Sequence, residues 1–411
     1  DVLRTDEQAE AMLFCGTFHG GPMRVALILS IIALFAAGRK VAAAPQTTSQ
    51  EHQVDAIFSS ATQKDAPGLA VLVRKNGRTI FEKGYGVRDL RTREEIDQNT
   101  NFRLASFTKQ FTAAAVMLLV HDGKLRYDQT LTEIFPDFPP YGKTITIRNL
   151  LNHTGGLPDY EDLMEGVEAK FNSWVWTPER QIQDAQVLKL LELASKGKFA
   201  PGTSWSYSNS GYVVLGLIVA KVSDQSYADF LHARIFAPLH MDHTIVYQKG
   251  KNEVANRAFG HSKAGDTLKE TDQSSTSATL GDGGIYSNLE DLAKWDDALR
   301  NHTLLTAEEM APALVPAKLA NGAQTFWPTA PNDDNLHPGK PVSYGFGWFL
   351  DPYQTHPRMW HTGSTIGFRT VIERFTTDNL TVIILSNRTD LDPEALALKT
   401  ADFYLNLKPK E

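Results

Sequence analysis

At 411 residues, with 42% hydrophobic and 22% charged residues, the chain has the composition of a folded protein and the length for a large core in two domains or subdomains. Its net charge of −7 gives no overall basic field for nucleic acid or anionic membrane, so the expected partner is a small molecule or a peptide. Its single cysteine, Cys15, excludes an intramolecular disulfide and a multi-thiolate metal site, and no metal or other cofactor is expected.

The first 44 residues have the pattern of an export signal. Met23 opens a segment in which an apolar run, 25–37, is followed by small residues at 41–44. This run has the length of a signal-peptide core and is short for a bilayer span. We expect residues 23–44 to be a signal peptide, and residues 1–22 to be non-native sequence or a leader upstream of the natural start.

Two charged residues, Arg39 and Lys40, follow the apolar run, which is unusual before a cleavage site. An uncleaved membrane anchor is therefore the alternative interpretation. With cleavage, we expect a periplasmic or secreted protein without stable membrane insertion. The mature chain would contain no cysteine, which is compatible with an oxidising compartment.

Strand patterns occupy both ends of the chain. After a polar linker at 46–53, a buried strand at 68–75 and a second strand at 78–87 are joined by Asn76-Gly77, a strong hairpin signal. Near the other end, three β-rich segments and a final helix are indicated at 344–349, 367–375, 380–386 and 394–405.

Helical patterns fill the region between these strands, together with a long surface loop at 318–342 that could border a cleft. We therefore predict an α/β (α+β) fold, in which an antiparallel sheet flanked by helices is built from both chain ends and a mostly helical subdomain is inserted. Residues 52–100 and 340–411 would form the α/β subdomain and residues 101–339 the mainly helical one. The active site is expected at their interface.

The most informative stretch begins with Ser106-Phe107-Thr108-Lys109. An alanine- and leucine-rich segment follows and stops at Asp122-Gly123, which predicts a buried helix with Ser106 at its N-terminus. A serine nucleophile needs a neighbouring base, and Lys109 lies on the same helical face three residues later. Burial beside the positive helix end would favour a neutral lysine, and the Ser106 N–H would bind an oxyanion. We interpret the pattern as serine acyl transfer.

A second Ser-x-x-Lys copy, at 195–198, serves as an internal control. It runs into a loop, Phe199-Ala200-Pro201-Gly202, with no apolar helix behind it. The tetrapeptide alone is weak evidence, because a helix cap followed by a solvated lysine also explains it.

A serine–lysine acylase needs a second proton carrier and a group that holds the substrate. Tyr207 and Asn209 supply a phenol and an amide in a loop rich in hydroxyl and turn-forming residues. The same tripeptide recurs at 286–288, where Ser287 to Glu290 form a capping-box pattern before a helix. For Tyr207, packing under the loop is the structural alternative.

A third motif, His361-Thr362-Gly363-Ser364, is predicted at the end of a strand. Gly363 would let another backbone approach closely, as an extended substrate requires, and the Ser364 N–H would be a second oxyanion donor. His361 would be an electrostatic partner of the tyrosine–lysine proton network. An ordinary histidine at a strand edge is the alternative.

In this order, the three motifs resemble those of the serine β-lactamase and penicillin-binding-protein family. The similarity is to the branch with class C β-lactamases, DD-peptidases, D-aminopeptidases and related esterases. It covers roughly residues 55–405 and includes two accessory stretches, Leu150–Leu157 and Gly283–Ser287. The site that the resemblance implies consists of Ser106 as nucleophile, Lys109 and Tyr207 for proton transfer, and Asn209, His361, Thr362, Gly363 and Ser364 for substrate binding.

The chain departs from β-lactamases of this branch, which usually carry lysine at the position of His361. A histidine there resembles DD-carboxypeptidases and D-aminopeptidases. It argues against efficient β-lactam hydrolysis, because a permanently charged partner for the substrate carboxylate is missing. The expected activity is hydrolysis of D-amino-acid peptides or β-lactam-like amides, such as peptidoglycan fragments, through an acyl-enzyme that Tyr207 helps water to cleave.

Two alternatives remain on the same scaffold. One is a carboxylesterase for short-chain esters, since ester acylation needs less protonation of the leaving group. The other is a non-catalytic penicillin-binding scaffold, which the presence of every proton-handling residue disfavours. An α/β-hydrolase lacks its Gly-x-Ser-x-Gly motif here, and a zinc hydrolase using His232, His240 and His243 lacks a helical His-Glu-x-x-His and an acidic ligand.

Overall fold

The computed structural model describes residues 49–171, 175–329 and 337–407, so the predicted leader and signal peptide, 1–22 and 23–44, lie outside the described residues. The strands are β1 (Leu69–Lys75), β2 (Arg78–Tyr85), β3 (Phe102–Arg103), β4 (Ile245–Val246), β5 (His261–Ala264), β6 (Thr267–Glu270), β7 (Ile285–Ser287), β8 (Arg358–Thr365), β9 (Phe368–Phe375) and β10 (Leu380–Ser386). The helices are α1 (Ser49–Ala61), α2 (Lys109–His121), α3 (Leu131–Ile134), α4 (Ile147–Leu151), α5 (Tyr160–Phe171), α6 (Asp184–Leu193), α7 (Asn209–Ser223), α8 (Tyr227–Leu231), α9 (Leu289–Asn301), α10 (Ala307–Met310) and α11 (Pro393–Tyr404). Among these helices, none has both the length and the apolar character to cross a bilayer.

The main sheet is antiparallel, with the strand order β2-β1-β10-β9-β8. β10 pairs on one side with β1 from the start of the chain, from Leu69↔Ser386 to Lys75↔Leu380, and on the other side with β9. The prediction of an α/β fold whose antiparallel sheet is assembled from both chain ends is therefore confirmed. β8 lies at one edge of the sheet.

The two faces of the sheet carry different cores because side chains alternate along each strand. Val71 and Val73 pack with α1 and α11, whereas Ala70 and Leu72 pack with the helices of the central region. Residues Thr47–Glu411 nevertheless group as one compact unit. The subdomain boundaries drawn from the sequence stay predictions.

The predicted polar linker is wrong from residue 49 onward, because α1 begins there. Val54, Ile57 and Phe58 have the i, i+3, i+4 spacing of one helical face, and all three are buried in the core that α1 shares with α11. The polar residues of this segment are the solvent side of a short amphipathic helix.

α2 is the most deeply buried helix of the site region, since every residue from Lys109 to Leu119 is buried. Because α2 is buried on all sides, its N-terminus lies inside the protein, and a polar side chain there, such as that of Lys109, needs hydrogen-bond partners. The chain leaves the helix at Asp122-Gly123, and Gly123 has a φ of +69°, which confirms the predicted glycine stop.

The segment 344–349 was predicted to be β-rich, but it forms isolated bridges, between Tyr344 and Phe349 and between Phe349 and Trp360, rather than a strand. Tyr344 and Phe349 pack in a cluster with Trp205 and Trp360, whereas Phe346 and Trp348 pack in the main core. The same aromatic residues that favour strands also favour dense packing, so their pattern does not separate the two.

The sequence predicted a helix cap at Ser287, before α9. The helix is present, but its N-cap is the next residue along the chain. The N-cap is Asn288, whose side chain accepts the Asp291 N–H at 2.9 Å. The hydroxyl of Ser287 lies 2.7 Å from that of Thr244 instead. Asparagine and serine cap helices equally well, so the pattern alone did not decide between neighbours.

Asn387, directly after β10, joins segments that are far apart in sequence. Its Oδ1 accepts the Gly68 N–H at 2.8 Å, and its Nδ2 donates to the carbonyls of Val87 at 3.2 Å and Phe259 at 3.1 Å. Because this side chain is fully buried, we expect Asn387→Ala to lower the free energy of unfolding by about 2–4 kcal/mol. Urea unfolding checks this against Asn301→Ala, an exposed control, and equal stability of the two variants would contradict it.

Candidate active site

Ser106 lies in a tight turn, Ala105–Thr108, that leads directly into α2. Ala105 has a φ of +51°, a left-handed conformation that costs energy for a residue with a side chain. The preceding Leu104 N–H is fixed by the Ile285 carbonyl at 2.8 Å. Ser106 is partly exposed between buried neighbours, and its N–H, in the first turn, has no intrahelical acceptor.

Lys109 is completely buried, and its amine faces three oxygen atoms. Nζ is 3.0 Å from Ser106 Oγ, 2.8 Å from Asn209 Oδ1 and 3.1 Å from the Asp282 carbonyl oxygen. The amide and carbonyl oxygens only accept, so they occupy two N–H groups in either protonation state of the amine. At the third position an ammonium donates to Ser106, whereas a neutral amine accepts from it. The same geometry therefore fits the states before and after proton transfer.

The Tyr207-Ser208-Asn209 motif lies where α7 begins. Ser208 is the N-cap of this helix and accepts the Gly211 N–H at 3.0 Å. Helix capping therefore explains Ser208 in this copy of the tripeptide, as it does in the copy at 286–288. This role of Ser208 was not expected from the sequence. α7 packs against α2, and this contact brings the Asn209 amide to the Lys109 amine.

Tyr207 is half-buried and stands beside this amine. Lys109 Nζ lies 4.8 Å from the centre of the phenol ring, within cation–π range. The ring also contacts two imidazoles, with centroid distances of 4.5 Å to His153 and 6.1 Å to His361. Tyr207 therefore belongs to the same cluster as the serine and the lysine.

The third motif lies inside the edge strand β8 rather than at a strand end, which corrects the sequence-based placement. Trp360 exchanges both of its backbone hydrogen bonds with Phe349, so its N–H and C=O point away from β9. Because these groups alternate in direction along a strand, those of Thr362 and Ser364 also face the free edge. Ser364 is exposed, so its N–H is open to a ligand at this edge.

Gly363 is needed for the contact between β8 and the serine turn. A Cβ atom at this position would lie 2.0 Å from the Leu104 carbonyl oxygen and 2.2 Å from Thr370 Oγ1. Thr370 Oγ1 itself donates to that carbonyl at 2.8 Å. The backbone that approaches Gly363 is thus the one that leads into Ser106, and this contact fixes β8 beside Ser106. The predicted reason, approach of a substrate backbone, is replaced by this one.

His361 is buried, and its ring nitrogens have assigned partners. Nδ1 donates to the Thr362 carbonyl at 2.6 Å, so Nε2 accepts from the Tyr344 hydroxyl at 3.0 Å. Burial, with a smaller contribution from the Lys109 charge, lowers the pKa of His361 to about 3. The imidazole is therefore neutral near pH 7, and the expectation of an electrostatic partner is corrected to that of a hydrogen-bonding group.

This lowered pKa predicts a pH dependence of stability. Below about pH 6.5 the histidine of the unfolded chain binds a proton, whereas His361 in the folded protein stays neutral until about pH 3. Stability is therefore lost as the pH falls through this window, by about 1.4 kcal/mol per pH unit for this one group. We expect His361→Asn to flatten the decline in urea-unfolding free energy between pH 6.5 and 4.5. The difference between the two proteins at pH 7.5 measures the packing effect alone, and parallel curves would contradict the prediction.

Three groups at the site were not predicted: the Asp282 carbonyl, His153 and Tyr344. A backbone carbonyl can come from any residue, so no residue type marks Asp282. The nearest signal is the adjacent Gly283, where a Cβ would be 3.6 Å from the backbone of Ala105. His153 lies within Leu150–Leu157 and Tyr344 within 344–349, and no pattern in these stretches indicates a role for either side chain.

The residues of the other motifs lie on the surface. Ser195, of the second Ser-x-x-Lys copy, is exposed in the loop after α6, as predicted for the control. His232, His240 and His243 of the zinc alternative are all exposed. Across the part of the chain that the structure describes, no group of three histidine, cysteine or acidic side chains is arranged to hold a metal ion.

Comparisons with known proteins show which sequences and which folds this chain resembles. A profile of the Beta-lactamase family matches residues 46–406. Penicillin-binding protein 4* of Bacillus subtilis (strain 168) is 31% identical over 374 residues, which cover 88% of this chain and 77% of that protein. Two solved structures share the fold. The octameric penicillin-binding protein homologue from Pyrococcus abyssi has a TM-score of 0.70 at 22% identity, covering 88% of this chain and 78% of its own. The D-amino acid amidase from Ochrobactrum anthropi SV3, complexed with L-phenylalanine amide, has a TM-score of 0.70 at 23% identity, covering 87% and 98%.

Proposed function

Because the chain belongs to the Beta-lactamase family, we propose that it is a serine hydrolase that cleaves D-amino-acid peptides or related amides through an acyl-enzyme on Ser106. The observation that carries the proposal is the 3.0 Å contact between Ser106 Oγ and the buried Lys109 amine. The other two N–H positions of this amine are filled by acceptors, so its remaining position is directed at the serine. A serine beside such a base is activated for attack.

In the proposed acylation, neutral Lys109 takes the proton of Ser106 while the serine oxygen attacks the carbonyl carbon of the substrate. The N–H groups of Ser106 and Ser364 stabilise the resulting oxyanion. Tyr207, beside the lysine, passes a proton to the leaving amine, which departs as the C–N bond breaks. Asn209 hydrogen-bonds the lysine and the substrate.

Deacylation reverses these roles with water as the nucleophile. Tyr207, together with Lys109, takes a proton from the water, which attacks the ester carbonyl of the acyl-enzyme. The C–O bond to Ser106 breaks, the serine recovers its proton, and the carboxylic acid product leaves. The two oxyanion donors serve both half-reactions.

The neutral state of His361 supports amide substrates over classical β-lactams. With its pKa lowered to about 3, this imidazole offers no positive charge to a β-lactam carboxylate. β8 presents backbone groups of Thr362 and Ser364 along its free edge, which suits an extended peptide. A relative named as a penicillin-binding protein and a structural neighbour named as a D-amino acid amidase are compatible with this substrate class.

A carboxylesterase remains the second candidate, because the same serine–lysine pair would acylate esters with little help from Tyr207. The hydrogen bond between Lys109 and Ser106 favours either enzyme over a non-catalytic penicillin-binding scaffold. We also propose that the protein is exported to the periplasm or the exterior, in accordance with the predicted signal at 23–44.

The test compares the wild type with Ser106→Ala on three probes: D-alanine amide, a short-chain p-nitrophenyl ester and a fluorescent penicillin. Serine-dependent amide hydrolysis supports the proposal, and slow penicillin labelling of Ser106 is compatible with it. Ester turnover without amide turnover would establish the esterase instead. A Ser106 that no acylating probe modifies would leave the scaffold and end both enzyme proposals.

A further inference from the structure

His153 holds the residues on both sides of Tyr207. It follows α4 in a left-handed conformation, with a φ of +63°, and only 2% of its surface is exposed. Its carbonyl accepts the Ser206 N–H at 3.0 Å, and its Nδ1 accepts the Ser208 N–H at 3.2 Å. One buried residue therefore fixes the backbone immediately before and immediately after the phenol.

The His153 ring also limits where the phenol can lie. Its centroid is 4.5 Å from those of both Tyr207 and Tyr344, and 5.2 Å from that of Tyr212. Trp205 completes the surroundings at 5.7 Å in an edge-to-face contact. Because Tyr207 is half-buried, these rings block its movement on the packed side only.

The hydrogen bond from Ser208 requires a neutral His153. A backbone N–H only donates, so Nδ1 must carry no proton. Burial lowers the pKa of His153 well below its ordinary value, and the positive charge of Lys109 acts in the same direction. The titratable groups around it are Lys109, His361 and the phenols of Tyr207, Tyr212 and Tyr344, none of which is a carboxylate that would favour a charged imidazole.

We propose that His153 is a positioning residue that holds the Tyr207 phenol where it transfers a proton to the leaving group. The inference rests on the proposed function, because it assumes that Tyr207 carries this proton during acylation of Ser106. In the part of the chain that the structure describes, the His153 ring hydrogen-bonds the Ser208 N–H and neither Ser106 Oγ nor the Lys109 amine. Its effect on the reaction therefore passes through the phenol.

Two substitutions separate the hydrogen bond from the ring. His153→Phe keeps an aromatic ring and removes the acceptor for the Ser208 N–H. His153→Asn removes the ring, can place an amide oxygen near the position of Nδ1, and tolerates the left-handed backbone well. Each is measured on the p-nitrophenyl and methyl esters of one acyl group, because the value of kcat/KM reports acylation. The p-nitrophenolate leaves without a proton, whereas methoxide needs one.

We expect His153→Phe to lower kcat/KM for the methyl ester by about 10- to 100-fold and for the p-nitrophenyl ester by less than about 3-fold. His153→Asn should recover part of the methyl ester activity. The double variant with His153→Phe and Tyr207→Phe should have nearly the same kcat/KM for the methyl ester as Tyr207→Phe alone, because both substitutions act through the same phenol.

Equal losses on the two esters would overturn the inference, since a general distortion of the site affects both leaving groups alike. Additive losses in the double variant would overturn it as well. If Tyr207→Phe itself has no selective effect on the methyl ester, the proposed proton route fails, and this result is distinct from failure of His153 alone. Circular dichroism and fluorophosphonate labelling of Ser106 identify a variant that has not folded, in which case His153→Asn carries the test.

Discussion

Lys109→Met is expected to reduce turnover by about 10⁴-fold or more, because Ser106 then loses the base that takes its proton. Methionine is unbranched like lysine and fills similar space in the fully buried site. It provides no N–H group for Asn209 Oδ1 or for the Asp282 carbonyl, which the amine contacts at 2.8 and 3.1 Å. Steady-state kinetics on the substrate identified by the probe panel measures the loss.

The chain offers a matched control for this substitution. Lys198→Met changes the lysine of the second Ser-x-x-Lys copy, which is exposed in a loop, and it should leave activity within about 2-fold of the wild type. Combining Lys109→Met with Ser106→Ala should cost no more than either change alone, because the two residues act as one unit. Multiplicative losses would show that Lys109 acts elsewhere in the mechanism.

Gly363→Ala is expected to have the second largest effect, through position alone. The added Cβ would lie 2.0 Å from the Leu104 carbonyl oxygen, and no rotamer of alanine relieves a clash with backbone. β8 must therefore move away from the turn that carries Ser106, and it takes the Ser364 N–H with it. We expect kcat/KM to fall by about 10²- to 10³-fold and the unfolding free energy by about 2–4 kcal/mol.

Gly166→Ala is the matched control for a glycine substitution. Gly166 lies in α5, a Cβ there meets nothing within 4 Å, and its φ is not in the left-handed region. Alanine should stabilise this helix by up to about 1 kcal/mol and leave kcat/KM unchanged. A wild-type rate in Gly363→Ala would show that the edge strand is not required next to the nucleophile.

The residues that we propose to react could be predicted from the sequence because their chemistry is tied to residue type. Serine, lysine and tyrosine side chains are identifiable in any fold, and the resemblance of their motifs to those of one family joins Ser106, Lys109 and Tyr207 into one set. The sheet from both chain ends could be predicted equally well, since Leu69–Val73 and Val382–Leu385 are continuous apolar runs within β1 and β10. Buried strands carry their signal in composition.

The supporting groups could not be predicted because they act through the backbone or through packing. The Asp282 carbonyl that contacts Lys109 is independent of the aspartate side chain. The importance of Gly363 depends on which segment crosses it, and Leu104 is 259 positions earlier in the chain. α1 was missed for another reason, because its short apolar face was masked by a polar run that resembled a linker.

The position of β10 between β1 and β9 has a consequence for the order of events during synthesis. Ser106, Lys109 and Tyr207 leave the ribosome well before the strand that carries Ser364 has been made. Until residues 358–386 emerge and pair with the hairpin made first, the Ser364 N–H is missing from its place beside Ser106. Completion of the sheet requires pairing between residues from both ends of the chain, and long-range pairing of this kind slows folding.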